Sequence, residues 1–364
     1  MLDQPLNRRQ ITAILIMFTF GSSAVLGFSS EVAQDTWIAL ALGALCSVPI
    51  LLLYARLVRL NPGENVFGIF ERTMGKAAGK IATVFLTWYA IHLCALVMRN
   101  FSEFLKITAL FDTPQIAVLA VMLVTVGLLA RSGPKALGKW AVITMPIVIG
   151  MVAITVVLSL NIYRYEMILP ILEHKVTDIF NSAFQAFSFP FTETVLTLGI
   201  ADFFGARESP YKAYLWGLAI SAATLLLVTF RNLLVLGPVV MASSYFPSYM
   251  AARIIAIGDF ISRIEGSISV NFILAGIVKI TLCFIVASRG LSSLLGIRNW
   301  QSIVFPTGFA ALALSQILYA NVMQMYAFVA YYAYYALPFE VALPLIAWIF
   351  SEVRARRKKT AAAV

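Results

Sequence analysis

The chain has 364 residues, of which 61% are hydrophobic and only 12% are charged. A water-soluble domain cannot cover that much apolar surface, so the composition excludes a soluble protein and indicates a polytopic membrane protein. The formal net charge is +10, but the positions of the basic residues, between apolar segments, exclude a nucleic-acid-binding face.

Ten apolar segments follow one another, each near the roughly 20 residues that a helix needs to cross a bilayer. They cover 10–30, 36–58, 81–106, 114–130, 136–160, 179–201, 213–238, 267–288, 301–320 and 329–351. We therefore expect an all-α fold with about ten transmembrane helices in a single membrane domain over residues 1–364. Its parts are a first group of five helices over 10–160, a second group over 179–351 and a basic cytoplasmic tail over 352–364.

Lys and Arg residues between the segments predict the orientation. With the N-terminus inside, most of the 27 basic residues fall on the cytoplasmic side, whereas the outer connections hold only Arg164, Lys175, Arg253 and Arg263. This positive-inside bias predicts a multi-pass protein of the cell membrane with both termini in the cytoplasm.

Three connecting segments are long enough to have structure of their own. Residues 59–80 predict a short amphipathic helix on the inner surface, and 161–178 predict an outer linker between the two halves. The apolar segment 239–266 predicts an outer interfacial helix.

The first and the sixth apolar segments are interrupted by small or helix-breaking residues. These are Gly21-Ser22-Ser23 in the first and Ser188-Phe189-Pro190-Phe191 in the sixth. Because backbone groups in a bilayer must find partners within the protein, irregular backbone persists there only where it lines a cavity or a ligand site. Breaks at corresponding places of two five-helix halves are typical of inverted-repeat transporters, in which unwound backbone and helix ends bind a small zwitterion. Close helix packing is the alternative explanation for Gly21-Ser22-Ser23.

Two ionisable residues lie deep in apolar segments. Glu193 and its neighbour Thr192 follow the second break, and Lys279 lies in the middle of the eighth segment. A charge at this depth costs about 2.5–3.5 kcal/mol on the insertion scale, so it needs a partner and marks a functional site. Glu193 is therefore a candidate for proton handling or for ordering the broken helix. Lys279 either mimics a coupling cation beside the first helix or pairs with Glu193.

Other polar residues in the apolar segments have more ordinary explanations. Arg99 and Glu103 are four residues apart and can form an ion pair, and Arg231 is a second candidate for a structural ion pair. His92 lies at the depth of the breaks, where it either lines the site or packs in the core.

The sequence contains no metal-ligand spacing and no nucleophile–base or nucleotide-binding motif. We therefore expect no enzyme, no metal and no cofactor.

Short stretches resemble the spore germinant-receptor B subunits, the GerAB-type spore permeases of the amino acid/polyamine/organocation superfamily. They include Arg99-Asn100-Phe101-Ser102-Glu103, Leu169-Pro170-Ile171-Leu172 and Phe189-Pro190-Phe191-Thr192-Glu193. Their order and spacing extend over nearly the whole chain. One departure is Thr192, where the family pattern has a glycine.

The resemblance implies a LeuT-like 5+5 inverted repeat with helices 1 and 6 broken, and residence in the inner membrane of a bacterial endospore. It also implies binding of a nutrient, most often an amino acid, and association with germinant-receptor A and C subunits in the bilayer. The expected ligand-binding residues are Gly21, Ser22, Ser23, His92, Ser188, Phe189, Pro190, Phe191, Thr192 and Glu193.

Two functions remain open from the sequence. The first is a receptor subunit that passes a ligand-induced change to its partners. The second is a secondary transporter that carries an amino acid alone, with Glu193 or Lys279 handling a proton.

Overall fold

A computed structural model describes residues 5–27, 30–255 and 264–362, which are almost entirely helical. The α-helices are α1 (Arg8–Leu26), α2 (Thr36–Leu60), α3 (Val66–Met74), α4 (Lys76–Thr108), α5 (Gln115–Arg131), α6 (Pro134–Ser159), α7 (Val176–Ala186), α8 (Pro210–Leu236), α9 (Pro238–Ser243), α10 (Pro247–Ile254), α11 (Glu265–Leu295), α12 (Val304–Ile317), α13 (Val322–Leu337) and α14 (Leu343–Ala362). Shorter 3₁₀ turns cover Ser30–Asp35, Leu160–Ile162, Tyr165–Ile168 and Trp300–Ile303.

Six helical stretches of the described chain are long and apolar enough to cross a membrane. They are Glu31–Leu60, Lys76–Thr108, Pro134–Ile162, Pro210–Leu236, Glu265–Leu295 and Val322–Arg357. The other four predicted spans coincide with α1, α5, α12 and the interrupted helix that starts at α7. The polytopic all-α class is therefore confirmed, and the number of ten crossings stays a prediction.

The predicted break at Gly21-Ser22-Ser23 is wrong. Helix α1 continues through these residues to Leu26, and Gly27, at φ +75°, ends it. The Ser23 hydroxyl donates to the Thr19 carbonyl at 2.6 Å, which ties the serine to its own helix. Small residues permit an interruption but do not require one, and here they serve the close helix packing that was the alternative.

The predicted break in the sixth segment is confirmed. Helix α7 ends at Ala186, a π-helical turn covers Phe187–Phe191, and a 3₁₀ helix continues over Thr192–Phe203. Phe189 has extended backbone angles (φ −103°, ψ 111°) inside this turn. Pro190 lacks an N–H group and disfavours helical geometry at the residue before it, which explains the position of the break. We call Phe187–Phe191 the broken turn.

A second π-helical turn, which the sequence reading did not predict, separates α13 from α14. It covers Pro338–Ala342 and carries Glu340. The Tyr54 hydroxyl of α2 lies 2.5 Å from the Glu340 carbonyl and 3.1 Å from the Thr192 carbonyl. One tyrosine therefore joins this turn to the end of the broken turn.

Helix α11 forms the centre of the bundle, where it packs against α1, α4, α5 and α6. At Gly276 of α11, the Phe101 ring of α4 occupies the space that a side chain would take. This packing carries Lys279 of α11 into the middle of the protein.

The connecting segments match the predictions in part. Helix α3 is the short helix expected within 59–80, and its apolar residues Val66, Phe67, Ile69 and Phe70 are buried. Of the outer helix predicted within 239–266, α10 is described, and residues 256–263 lie outside the described part. The predicted tail, 352–364, begins inside α14 rather than after a helix end.

Candidate functional site

A fully buried ion pair joins the sixth segment to α11. The Lys279 ammonium contacts Glu193 Oε2, and both side chains have no exposed surface. Glu193 Oε1 accepts a hydrogen bond of 2.6 Å from the Tyr332 hydroxyl, and Lys279 also donates to Ser22 Oγ at 3.1 Å. Of the two roles left open for Lys279, the structure contains the pair with Glu193. This pairing compensates two charges that neither helix could carry alone at this depth.

The ammonium of Lys279 also lies between two aromatic rings. Its Nζ is 5.2 Å from the ring centre of Phe18 in α1 and 5.0 Å from that of Phe189 in the broken turn. Both distances are within the range of a cation–π attraction. Lys279 therefore contacts α1 and the broken turn at once.

A small cavity of about 30 Å³ lies beside the ion pair. Phe189 forms part of its wall, and its polar lining consists of Ser22, Asn100, Glu193, Tyr319 and Tyr332. Asn100 is 8% exposed, and its Oδ1 has no hydrogen-bond partner among the described residues. A buried acceptor without a partner is unfavourable, so this oxygen is available to a ligand or to water.

A larger cavity of about 280 Å³ lies on the other side of Phe189. Its lining includes the C-terminal ends of α1 and α7, together with side chains of α8, α9 and α13: Ser23, Leu26, Gly27, Ala186, Thr229, Asn232, Met241 and Tyr326. Phe189 and Val329 line both cavities. The extended residue of the broken turn therefore forms part of the shared wall between them.

Glu340 is a second fully buried carboxylate close to the first. Its Oε2 accepts hydrogen bonds from Ser188 Oγ at 2.8 Å and Thr192 Oγ1 at 2.7 Å. Its Oε1 lies at hydrogen-bond distance, 2.7 Å, from the Tyr89 hydroxyl. Ser188 and Thr192, expected to contact a ligand, thus direct their hydroxyls to Glu340.

The remaining predicted ligand residues lie around this centre. Gly21 packs against Lys279, and Pro190 and Phe191 are buried within the broken turn. His92 stacks on Trp88 with ring centres 5.6 Å apart, and its Nδ1 has no partner among the described residues. None of these four is among the described residues that line the two cavities.

Arg99 and Arg231, both expected to form structural ion pairs, have different kinds of partner. Arg99 and Glu103 form an ion pair of 2.8 Å along α4. Arg231 instead donates to Thr155 Oγ1 at 2.8 Å and to Asn232 Oδ1 at 2.7 Å. It has no carboxylate partner among the described residues, which corrects the expected ion pair. Neutral oxygen atoms satisfy this guanidinium because several of them converge where α6 meets α8.

Among the described residues, no group of three His, Cys, Asp or Glu side chains could hold a metal ion. The site is therefore built from one ammonium, two carboxylates, hydroxyls and aromatic rings.

The sequence profile of Spore_permease, described as spore germination protein, matches residues 5–323. The chain belongs to the Spore_permease family. The resemblance read from the sequence motifs is thereby confirmed, and the family is one of non-enzymatic spore germination proteins.

Relatives of this Spore_permease chain occur in Bacillus subtilis (strain 168). It is 25% identical to spore germination protein KB over 359 residues, which cover 96% of this chain and 95% of that protein. It is 24% identical to the putative spore germination protein YfkT over 323 residues, with 88% of each chain covered.

Solved transporter structures share the fold. A Na⁺-coupled sialic acid symporter in an outward-open state superimposes with a TM-score of 0.67 at 9% identity, over 96% of this chain and 88% of that chain. Mhp1, a nucleobase-cation-symport-1 family transporter, does so with a TM-score of 0.61 at 12% identity, over 94% and 78%. The Spore_permease chain therefore has a LeuT-like transporter fold.

Glu340 and Tyr89 were not predicted from the sequence. The rule that identified Glu193, an acid deep in an apolar segment, applies equally to Glu340 in the segment 329–351. The run of tyrosines in α13 indicates mainly an aromatic belt at the membrane surface, with one or two tyrosines facing the cavity. Tyr332 is one that does so, and its hydroxyl donates to Glu193.

Proposed function

We propose that this chain is the nutrient-binding B subunit of a spore germinant receptor and that its ligand is an amino acid. In this proposal the chain crosses the endospore inner membrane ten times as a 5+5 inverted repeat, with both termini in the cytoplasm. Its ligand state is passed to germinant-receptor A and C subunits. Family membership and the names of the relatives support the germination role.

The proposal of a ligand site rests on the position of Phe189. The 280 Å³ cavity and the small cavity at the ion pair meet at this side chain. About 30 Å³ has room for little more than a water molecule. A ligand that reaches Ser22 and Asn100 must therefore displace the Phe189 ring, which moves the broken turn.

The chemistry around the larger cavity suits the ammonium group of an amino acid. The C-terminal ends of α1 and α7 both line it, at Leu26 and Ala186. Helix C-termini carry partial negative charge and favour a cation. The unpartnered Asn100 Oδ1 offers a further acceptor deeper in the protein. The largely apolar remainder suits a small aliphatic side chain.

A thermal-shift experiment tests this site. A ligand that binds the folded state raises its stability, by about 2.7 kcal/mol at 100 times Kd. We expect at least one amino acid to raise the melting temperature of the purified protein, and Asn100→Leu to abolish that rise. Asn271→Leu is the matched control, because Asn271 is also buried and has no side-chain hydrogen-bond partner among the described residues, but it lies outside both cavity linings. The same loss in both variants, or no rise with any amino acid, would contradict the proposed site.

A second candidate function is a proton-coupled amino acid transporter that works alone. The buried pair of Lys279 and Glu193 next to the broken turn favours it, since an acid at this depth can exchange a proton during transport. Vesicles that contain only this chain distinguish the two functions. Uptake of the amino acid that gives the thermal shift would establish transport, whereas binding without uptake would support the receptor role.

A further inference from the structure

Two buried carboxylates are joined by a chain of two tyrosine hydroxyls. Glu340 Oε1 lies 2.7 Å from the Tyr89 hydroxyl, which lies 2.9 Å from the Tyr332 hydroxyl, which lies 2.6 Å from Glu193 Oε1. All four side chains are buried, Tyr332 being the most exposed at 6%. The chain crosses the bundle from the turn after α13 to the sixth segment.

The number of hydrogens along this chain is the decisive feature. Three oxygen–oxygen contacts of hydrogen-bond length need three hydrogens. Each tyrosine hydroxyl supplies one. If both glutamates were ionised, Tyr332 would donate to Glu193 and Tyr89 to Glu340. No hydrogen would then remain for the 2.9 Å contact between the two tyrosines, and their oxygens would repel.

A third hydrogen on one of the carboxyl groups completes the chain. Lys279 is a cation on the other oxygen of Glu193, so the negative charge of that carboxylate is already paired. The groups that contact the Glu340 carboxyl are the neutral hydroxyls of Tyr89, Ser188 and Thr192, and among the described residues it has no ion-pair partner. Because an unpaired buried charge is costly, the third hydrogen belongs on Glu340 rather than on Glu193.

We propose that Glu340 is a proton-binding site, and that Tyr89 and Tyr332 form a relay by which its proton can pass to Glu193. At neutral pH the Glu340 carboxyl donates to Tyr89, Tyr89 to Tyr332 and Tyr332 to ionised Glu193. This goes beyond the proposed function, because it holds whichever ligand the protein binds and whether or not it transports.

The transfer step is balanced along the chain. The O–H bond of Glu340 breaks as one forms at Tyr89, the former Tyr89 hydrogen moves to Tyr332, and the former Tyr332 hydrogen moves to Glu193. Glu340 is then ionised and Glu193 neutral. Lys279 loses its ionic partner but keeps its contacts with Ser22 and with the Phe18 and Phe189 rings. The position of one proton therefore determines whether the ion pair between the sixth segment and α11 is present.

Infrared spectroscopy of the purified full chain with ¹³C-labelled glutamate tests this proposal. We expect the wild type at neutral pH to show the carbonyl stretch of a protonated glutamic acid. Glu340→Gln should remove this band and Glu193→Gln should keep it. Absence of the band from the wild type, or its loss only in Glu193→Gln, would overturn the proposal.

A second pair of variants tests the relay without altering either carboxylate. Tyr89→Phe removes the acceptor of the Glu340 proton, so the band should shift. Tyr335→Phe is the matched control, because Tyr335 neighbours Tyr89 but its hydroxyl has no partner among the described residues. A band that is unchanged in Tyr89→Phe would show that Glu340 does not donate to this tyrosine.

Discussion

Lys279 of α11 packs directly on Gly21 of α1. A β-carbon on Gly21 would lie 2.8 Å from Lys279 Cδ and 2.9 Å from Lys279 Cβ. Because Gly21 has no side chain, it leaves space for the Lys279 side chain to reach Glu193. The glycine serves the ion pair and does not unwind the helix.

We expect Gly21→Leu to lower the melting temperature and to abolish ligand binding, because the leucine displaces the Lys279 stem. Overpacking of this kind costs about 1–3 kcal/mol, and the strained ion pair adds to it. Gly150→Leu in α6 is the control, since no atom from another part of the described chain lies within 4 Å of the β-carbon position there. Equal melting temperatures of the two variants would contradict the packing role of Gly21.

Lys279→Met should destabilise the protein strongly, because it leaves Glu193 buried without its cation. Removal of one partner of a buried pair costs roughly 3–5 kcal/mol. The double variant Lys279→Met/Glu193→Gln should regain much of this loss, since it buries no unpaired charge. The free energies of unfolding of both variants are measured by denaturant titration. A double variant no more stable than the single one would mean that Lys279 stabilises chiefly by packing.

Asp202→Asn should lower the free energy of unfolding by less than Lys279→Met does. Arg289 contacts Asp202 through two nitrogens, at 2.8 and 2.5 Å, and donates to the Gly199 carbonyl at 2.8 Å. The two side chains are 9% and 21% exposed, so water compensates part of the loss. If denaturant unfolding showed Asp202→Asn to be less stable than Lys279→Met, this prediction would be contradicted.

Phe189→Ala should join the two cavities and speed ligand entry to Asn100. If the proposed site is correct, both association and dissociation rates of the amino acid increase, because the Phe189 part of the wall between the cavities is gone. Phe187→Ala is the control: this neighbouring ring stacks on Phe184, with ring centres 6.1 Å apart, and lines neither cavity among the described residues. Stopped-flow binding that shows unchanged rates in Phe189→Ala would exclude its role as a barrier.

Local features of the fold follow from the sequence because their causes are local. The membrane class follows from apolar segments of spanning length, and the broken turn coincides with Pro190, whose missing N–H and effect on the preceding Phe189 favour an interruption there. The predicted break at Gly21 was wrong because the role of this residue is not decided locally. A glycine permits both helical and irregular backbone, and here it packs on Lys279, which is remote in the sequence.

The sequence alone thus determined a polytopic helical protein of the spore permease type, with an interrupted sixth segment and two costly buried charges. Only the tertiary structure decided which groups those charges meet. The pairing of Glu193 with Lys279, and the two tyrosines that lead from Glu193 to Glu340, join residues 86 to 251 positions apart. Such contacts depend on how the helices pack, because hydrogen bonds and charge pairs act over a few ångströms in space whatever the separation along the chain.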